Sequence, residues 1–250
     1  MKRSTAVVTG AGSGIGRETA LWLARKGVQV FAVGRKPAML NGTASLDTTH
    51  SFIFPLCADV TLEEELEAAF TPLKKVDIVV VNAGICETAA INASKAATVW
   101  QRVIHTNLTG SWNTLHTLAD KLTDGARVVL VSSGLGKLGR AHYTAYSASK
   151  HGMLGVMKSL ALEWAPKQIR VNAVCPGWVE TEMAMADLRR AAKRNKTSID
   201  IEGIRATERI PIGRFVQAKE VANLIGWLCS DESSGITGQA YNISGGEFGL

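Results

Sequence analysis

The sequence predicts an α/β fold, a single Rossmann-like, doubly wound parallel sheet with helices on both faces, formed as one domain by residues 1–250. Three observations carry that expectation. Short apolar runs recur at residues 6–9, 28–33, 52–56, 78–82, 127–132, 170–174 and 240–243, nearly continuous in apolar residues, as strands covered on both faces are. Helix-length patterns separate them, which makes consecutive strands βαβ units with right-handed crossovers. A glycine-rich stretch, Thr9-Gly10-Ala11-Gly12-Ser13-Gly14-Ile15-Gly16, stands where the first strand meets the first helix.

Each element has its own signals. The first helix, residues 17–26, closes on Gly27, a natural left-handed stop. Between the second and third strands, residues 36–50 are short for a full helix, and a loop is expected. Thr61 and Glu64 have capping-box spacing before Leu66, Ala69 and Phe70. Helical patterns cover residues 96–107, 110–122 and 148–165, the last stopped by Pro166, and another covers 220–229. Only a polar, helical insertion at about residues 183–214 breaks the alternation.

Composition narrows the class. With 46% hydrophobic and 20% charged residues, the chain has the apolar content of a globular core, which excludes disorder, collagen and coiled coil. No apolar run approaches the roughly 18–20 residues that cross a bilayer. The strand signal at Ala6, Val7 and Val8 begins too early for a signal peptide. Cys57, Cys86, Cys175 and Cys229 are widely spaced, the pattern of reduced thiols in a cytoplasmic protein. The five histidines, His50, His105, His116, His142 and His151, do not cluster with carboxylates, and no metal is expected. Of these, His142, just before Tyr146, is either a loop residue or a substrate contact. The formal charge of +6 is compatible with a solvated surface, a phosphorylated cofactor or an acidic partner. No basic stripe is interleaved with aromatic residues, and nucleic acid is not expected.

A glycine-rich corner between strand and helix lets backbone approach a pyrophosphate, whose charge the helix N-terminus attracts. Gly10, Gly14 and Gly16 have the spacing for it. Where an NAD site places a carboxylate at the end of the second strand, this chain has Gly34-Arg35-Lys36. Arg35 can hold a 2′-phosphate by charge-assisted bonds, which points to NADP(H) over NAD(H).

Tyr146 and Lys150 lie four apart at the start of a long helical pattern and share one face. A nearby ammonium favours a phenolate, whose parent phenol has a pKa near 10. Ser133, at a strand end, offers a hydroxyl to a carbonyl oxygen, and Asn107, at a helix end, an amide to a bridging water. Together these residues resemble the short-chain dehydrogenases/reductases over essentially the whole chain. Thr9–Gly16 is similar to their T-G-x-x-x-G-x-G loop, Asp59-Val60 to the adenine-contacting pair, and Asn82-Ala83-Gly84 to the N-A-G element. Asn107, Ser133, Tyr146 and Lys150 match the catalytic tetrad in order, and Pro176, Gly177, Val179 and Thr181 fall in a P-G-x-x-x-T-like stretch. Two positions depart from the pattern: Val81 replaces a second Asn, and Ser13 replaces a basic residue frequent in NADP sites.

The resemblance implies hydride transfer at a carbonyl or alcohol carbon. Gly10, Ser13, Gly14, Ile15, Gly16, Arg35, Asp59, Val60, Asn82, Ala83, Gly84, Tyr146, Lys150, Pro176, Gly177, Val179 and Thr181 would hold NADP(H). Ser133 would bind the carbonyl oxygen, Tyr146 donate the proton, Lys150 lower the tyrosine pKa and hold the ribose, and Asn107 anchor a water. The stretches at 176–183 and 210–217 look most like 3-ketoacyl-(acyl-carrier-protein) reductases and aromatic polyketide ketoreductases. That likeness implies a small carbonyl substrate, carried on an acyl carrier protein or coenzyme A. The basic group Arg189, Arg190, Lys193, Arg194 and Lys196 would face the carrier or simply be a solvated helix face. A secondary-alcohol or 3-hydroxyacyl dehydrogenase is the alternative enzyme, and a non-catalytic nucleotide-binding protein the remote one. A homotetramer built on the helices at 96–122 and on the C-terminal strand and tail is also implied, with Trp112 and Leu115 fitting either an interface or the core.

Overall fold

The computed structural model describes residues 4–48 and 52–248, so His50 lies outside the described residues. Strands β1 (Thr5–Thr9), β2 (Gln29–Gly34), β3 (Ile53–Cys57), β4 (Val76–Val81), β5 (Leu122–Val131) and β6 (Arg170–Pro176) join one parallel sheet. Two short strands, β7 (Val179–Glu180) and β8 (Val216–Gln217), pair separately in parallel, and β9 (Ala240–Ile243) completes the main sheet. The order is β3-β2-β1-β4-β5-β6-β9, a doubly wound parallel sheet of the kind the apolar runs predict. Helices α1 (Gly14–Arg25), α2 (Pro37–Ser45), α3 (Glu63–Phe70), α4 (Ala96–Ile104), α5 (Gly110–Leu118), α6 (Thr144–Glu163), α7 (Glu182–Asn195), α8 (Ile199–Thr207) and α9 (Ala218–Leu228) follow in chain order. No helix among the described residues is long and apolar enough to cross a membrane.

Alternation along each strand divides the core. Val7, Val79, Val128 and Leu130 face one way, into a layer with Leu66 and Phe70 of α3, Leu115 and Leu118 of α5, and Met153 and Met157 of α6. Ala6, Val8, Val80 and Val129 face the other, against Leu21 and Leu23 of α1 and Val221, Ile225 and Leu228 of α9. Burial on both sides is what makes the strands read as continuous apolar runs.

Several boundaries differ from the sequence expectation. A helix, α2, occupies part of the stretch expected to be a loop. Pro37 sits in its first turn with a φ suited to a helix, while Leu40 is fully buried and Thr43 Oγ1 donates to Ala11 O at 2.9 Å. Tertiary anchoring thus makes up for the short length. The Thr61/Glu64 capping box does not form. The Thr61 N–H and hydroxyl instead donate to Asp59 Oδ1 at 2.9 and 2.8 Å, and Glu65 accepts the Asp59 N–H at 2.7 Å. A capping box forms at α9, between Gln217 and Glu220. The pattern at 110–122 ends early: α5 stops at Leu118, and Leu122 already pairs with Val76 in β5. Leu115 is 2% exposed and belongs to the core, whereas Trp112 is 51% exposed on α5.

The α1–α9 contact depends on Gly226, where an added Cβ would sit 2.5 Å from the Trp22 indole. Alanine favours a helix over glycine by roughly 1 kcal/mol, but overpacking costs about 1–3 kcal/mol. Gly226→Ala is therefore expected to lower the unfolding free energy in urea titration; a gain would show that the α1–α9 packing is slack.

Candidate active site

Strand order reverses between β1 and β4, and a parallel sheet opens a crevice at the carboxyl ends of its strands there. Side chains lock that crevice. Thr9 Oγ1 accepts the N–H groups of Asn82 and Ala83 at 3.0 and 3.1 Å. Asn82 Nδ2 donates to the carbonyls of Thr9 and Gly10 at 3.0 and 3.3 Å. Only glycine fits beside it: a Cβ on Gly16 would lie 2.5 Å from Asn82 Nδ2, and Gly10 has a φ of +67°. A Cβ on Gly14 would lie 3.1 Å from the Thr181 methyl, so the loop also runs close to the start of α7.

Next to this junction α1 begins. Its capping residue Ser13 makes no side-chain cap bond, and its first turn holds no acid. Its leading N–H groups are left for an anion, and the dipole favours one. The pyrophosphate of a nicotinamide dinucleotide fits this cradle. Arg17 supports the loop from behind, with Nη2 on Gly12 O at 2.6 Å and Nε on Thr43 Oγ1 at 3.3 Å. Arg35, 60% exposed after β2, has Asp59 Oδ2 at 3.5 Å. Burial raises the Asp59 carboxyl, but the Thr61 bonds and Arg35 outweigh it and hold it below the usual range. Val60 is buried, with its carbonyl accepting from Asn113 Nδ2 at 3.1 Å.

A cavity of about 590 Å³ opens on the crevice and brings together Ser133, Tyr146 and Lys150, with Ile15, Asn82 and Gly84 from the loop side. Pro176, Gly177, Val179 and Thr181 line it as well, while Arg35, Asp59 and Val60 stand outside it. Ser133 lines the cavity with Tyr146 and accepts the Leu135 N–H at 3.2 Å. Lys150 Nζ lies 5.8 Å from the Tyr146 ring centre and donates to Val131 O at 2.8 Å. Burial lowers the lysine to about 8.

The Lys150 ammonium lies near the Tyr146 phenol, where its charge favours the phenolate, but the net shift of the phenol is upward. Burial pushes that phenol above its usual value, with Cys86 and Asp187 adding to the effect and Ser133 opposing it. The ammonium is itself desolvated and its bond goes to a carbonyl. Tyr146 is thus protonated at neutral pH, the form that donates. The Asn107 amide has three partners within the protein. It lies in a π-helical turn, His105–Thr109, where Oδ1 accepts the Ile85 N–H at 2.8 Å and Nδ2 donates to Ile85 O and Ser149 Oγ at 2.9 and 3.0 Å. It holds the loop after β4 onto α6. Gly84 lies between it and Lys150: a Cβ there would be 3.1 Å from Asn107 Oδ1 and 3.6 Å from Lys150 Nζ.

The sequence reading missed Cys86, Arg140, Tyr143, Asp187, Glu247 and Phe248, all of which line the cavity. Tyr143 stands one turn before Tyr146 and was the most findable; nothing local marks Asp187 within a charged helix. His142 is exposed, has a φ of +72° and lies away from this cavity. The basic group on α7 divides: Arg189 pairs with Glu182 and Arg190 with Asp187, while Lys193, Arg194 and Lys196 are exposed at the helix end. Among the described residues, no three His, Cys, Asp or Glu side chains gather as metal ligands.

Burying the Lys150 ammonium costs stability below its folded pKa of about 8, and the cost fades as pH rises toward the unfolded 10.5. Lys150→Met is therefore expected to be more stable than the wild type by about 1–2 kcal/mol at pH 7. That gap should narrow between pH 8 and 10.5 in denaturant titrations; a pH-independent gap would show that the lysine stays charged.

A family model described as Enoyl-(Acyl carrier protein) reductase matches residues 10–247. The 3-oxoacyl-(acyl-carrier-protein) reductase FabG of Thermotoga maritima is 36% identical over 248 residues, covering 96% of this chain and 96% of that protein. The (-)-trans-carveol dehydrogenase of Rhodococcus erythropolis is 34% identical over 266 residues, covering 96% of each. Among solved structures, an actinorhodin polyketide ketoreductase variant with NADPH aligns at a TM-score of 0.91 and 36% identity, covering 98% of this chain and 97% of that one. With its glycine crevice, its parallel sheet and these relatives, the chain belongs to the short-chain dehydrogenase/reductase family of oxidoreductases.

Proposed function

We propose that this oxidoreductase is an NADPH-dependent reductase of the 3-keto group of an acyl thioester, carried on an acyl carrier protein or coenzyme A. The observation that carries the reading is the meeting of Ser133, Tyr146 and Lys150 in one cavity beside the glycine crevice. When bound, NADPH supplies the hydride. Ser133 and Tyr146, which line the same cavity, hold the carbonyl oxygen between two hydroxyls. As negative charge develops there, these preplaced donors stabilise it in a water-poor site. Tyr146 then gives its proton to that oxygen, and the ammonium of Lys150 offsets the charge left on the phenolate. Asn107 fixes the Ile85 loop against Ser149 in the second turn of α6, and so sets the spacing of this group.

The cofactor preference rests on Arg35 and Lys36, which are exposed at the end of β2 where a carboxylate would repel a 2′-phosphate. The single Asp59 contact at 3.5 Å leaves most of the guanidinium donors open. The thioester reading is supported by the reductases among the relatives and by Lys193, Arg194 and Lys196, a cationic end of the cavity-lining helix suited to an acidic carrier or to phosphates. Trp112, exposed on α5, marks a face for self-association into the expected homotetramer.

Initial rates with acetoacetyl-coenzyme A test the reading. NADPH is expected to exceed NADH by at least about tenfold in kcat/KM, the worth of one charge-assisted bond. Arg35→Ala should remove most of that ratio while sparing NADH. No turnover with either cofactor would discard the thioester, and an unchanged ratio in the variant would discard Arg35 as the phosphate reader.

A further inference from the structure

The wall of the reaction cavity contains a second phenol and a carboxylate to which the proposed reaction gives no task. Tyr143 Oη donates to Asp187 Oδ2 at 2.5 Å, and the two residues are 4% and 7% exposed. The bond joins distant parts of the chain: Tyr143 immediately precedes α6, and Asp187 sits midway along α7 in the insertion. Both line the cavity with Tyr146. The second Asp187 oxygen accepts from Arg190 Nη2 at 3.1 Å. A buried carboxylate is tolerated only with partners of this kind. Removing the Tyr143 hydroxyl would deprive α7 of this buried polar tie to the catalytic helix.

We propose that the Tyr143–Asp187 hydrogen bond is a latch that holds α7 closed over the reaction cavity, and that Asp187 is a positioning residue whose charge favours Tyr146 as proton donor over proton acceptor. The latch stands on the geometry alone; the second half rests on the proposed role of Tyr146. A negative charge in a shared, poorly solvated cavity disfavours a phenolate, and the direction found for Tyr146 agrees. The other groups bearing on this cluster are Cys86 from the loop after β4, Ser133 after β5, Arg140 before α6, Lys150 on α6, Arg190 on α7 and Glu247 near the end of the chain. Of these, Arg140 is tied to Glu247 at 3.3 Å and Arg190 to Asp187 itself. With α7 closed, the site is therefore set for reduction.

Two readouts on the full-length enzyme test the two halves. Backbone hydrogen exchange across residues 182–195 reports the latch. Tyr143→Phe should speed that exchange at least about tenfold and raise the substrate KM more than it lowers kcat. Asp187→Ala, which breaks the same bond from the other side, should do likewise and covers the case in which the first variant folds poorly. Unchanged exchange in a folded variant of either kind overturns the latch. Asp187→Asn keeps an acceptor for Tyr143 and removes the charge. The pH profile of its alcohol oxidation, measured with 3-hydroxybutyryl-coenzyme A and NADP⁺, should move about one pH unit lower than the wild type. A profile that stays in place overturns the role given to the charge. If the wild type does not oxidise this thioester, the thioester reading fails separately, and the profile is taken with a simple secondary alcohol.

Discussion

The arrangement depends on how closely the end of β1 approaches the end of β4. Thr9 and Asn82 exchange hydrogen bonds across that junction, and the Asn82 amide fills the space against Gly10 and Gly16. No side chain larger than hydrogen is tolerated at Gly16, because the carbonyl of Gly10 and the amide of Asn82 occupy the place of a Cβ. The contact fixes the angle at which α1 leaves the sheet, and with it the direction of the free N–H groups. It also sets the start of the loop that carries Gly84, Ile85 and Cys86 past Asn107 and Lys150. Cofactor cradle and reaction cavity are thus two sides of one packed corner.

The cavity beside that corner is held together at an energetic cost. Lys150 is almost wholly buried with a carbonyl and a thioether as its partners. Tyr146 is a partly buried phenol whose pKa desolvation pushes above its usual value. Such groups are tolerated because α6 is anchored elsewhere: Met153, Met157 and Leu160 of the same helix lie in the core against the sheet. Apolar burial of that size, about 25 cal/mol per Å², offsets the desolvated ammonium and keeps the reactive turn of the helix rigid.

The sheet was legible in the sequence because parallel strands buried on both faces announce themselves as apolar runs, and alternation with helices makes them βαβ units. The glycine corner was legible because its geometry admits so few residue types. What was not legible depended on distant partners. Leu40 and Thr43 make a helix of α2 only because the glycine loop lies beneath them. Thr61 abandons its expected cap because Asp59 offers a nearer acceptor. The Asn107 amide is committed to Ile85 and Ser149, contacts that no local spacing reveals. The Tyr146 phenol is shifted upward by desolvation, which sequence does not display. Tyr143 and Asp187 belong together only once the insertion has folded back over the cavity.

The central claim is that Tyr146 moves the proton while the glycine corner binds the cofactor, each without needing the other's chemistry. Tyr146→Phe separates the two most directly when NADPH binding by fluorescence and single-turnover hydride transfer to acetoacetyl-coenzyme A are measured on the same preparation. The account predicts NADPH affinity within about threefold of the wild type and transfer slowed by at least about 10²-fold, the scale of one lost general acid. Transfer within tenfold of the wild type, with binding intact, would contradict it.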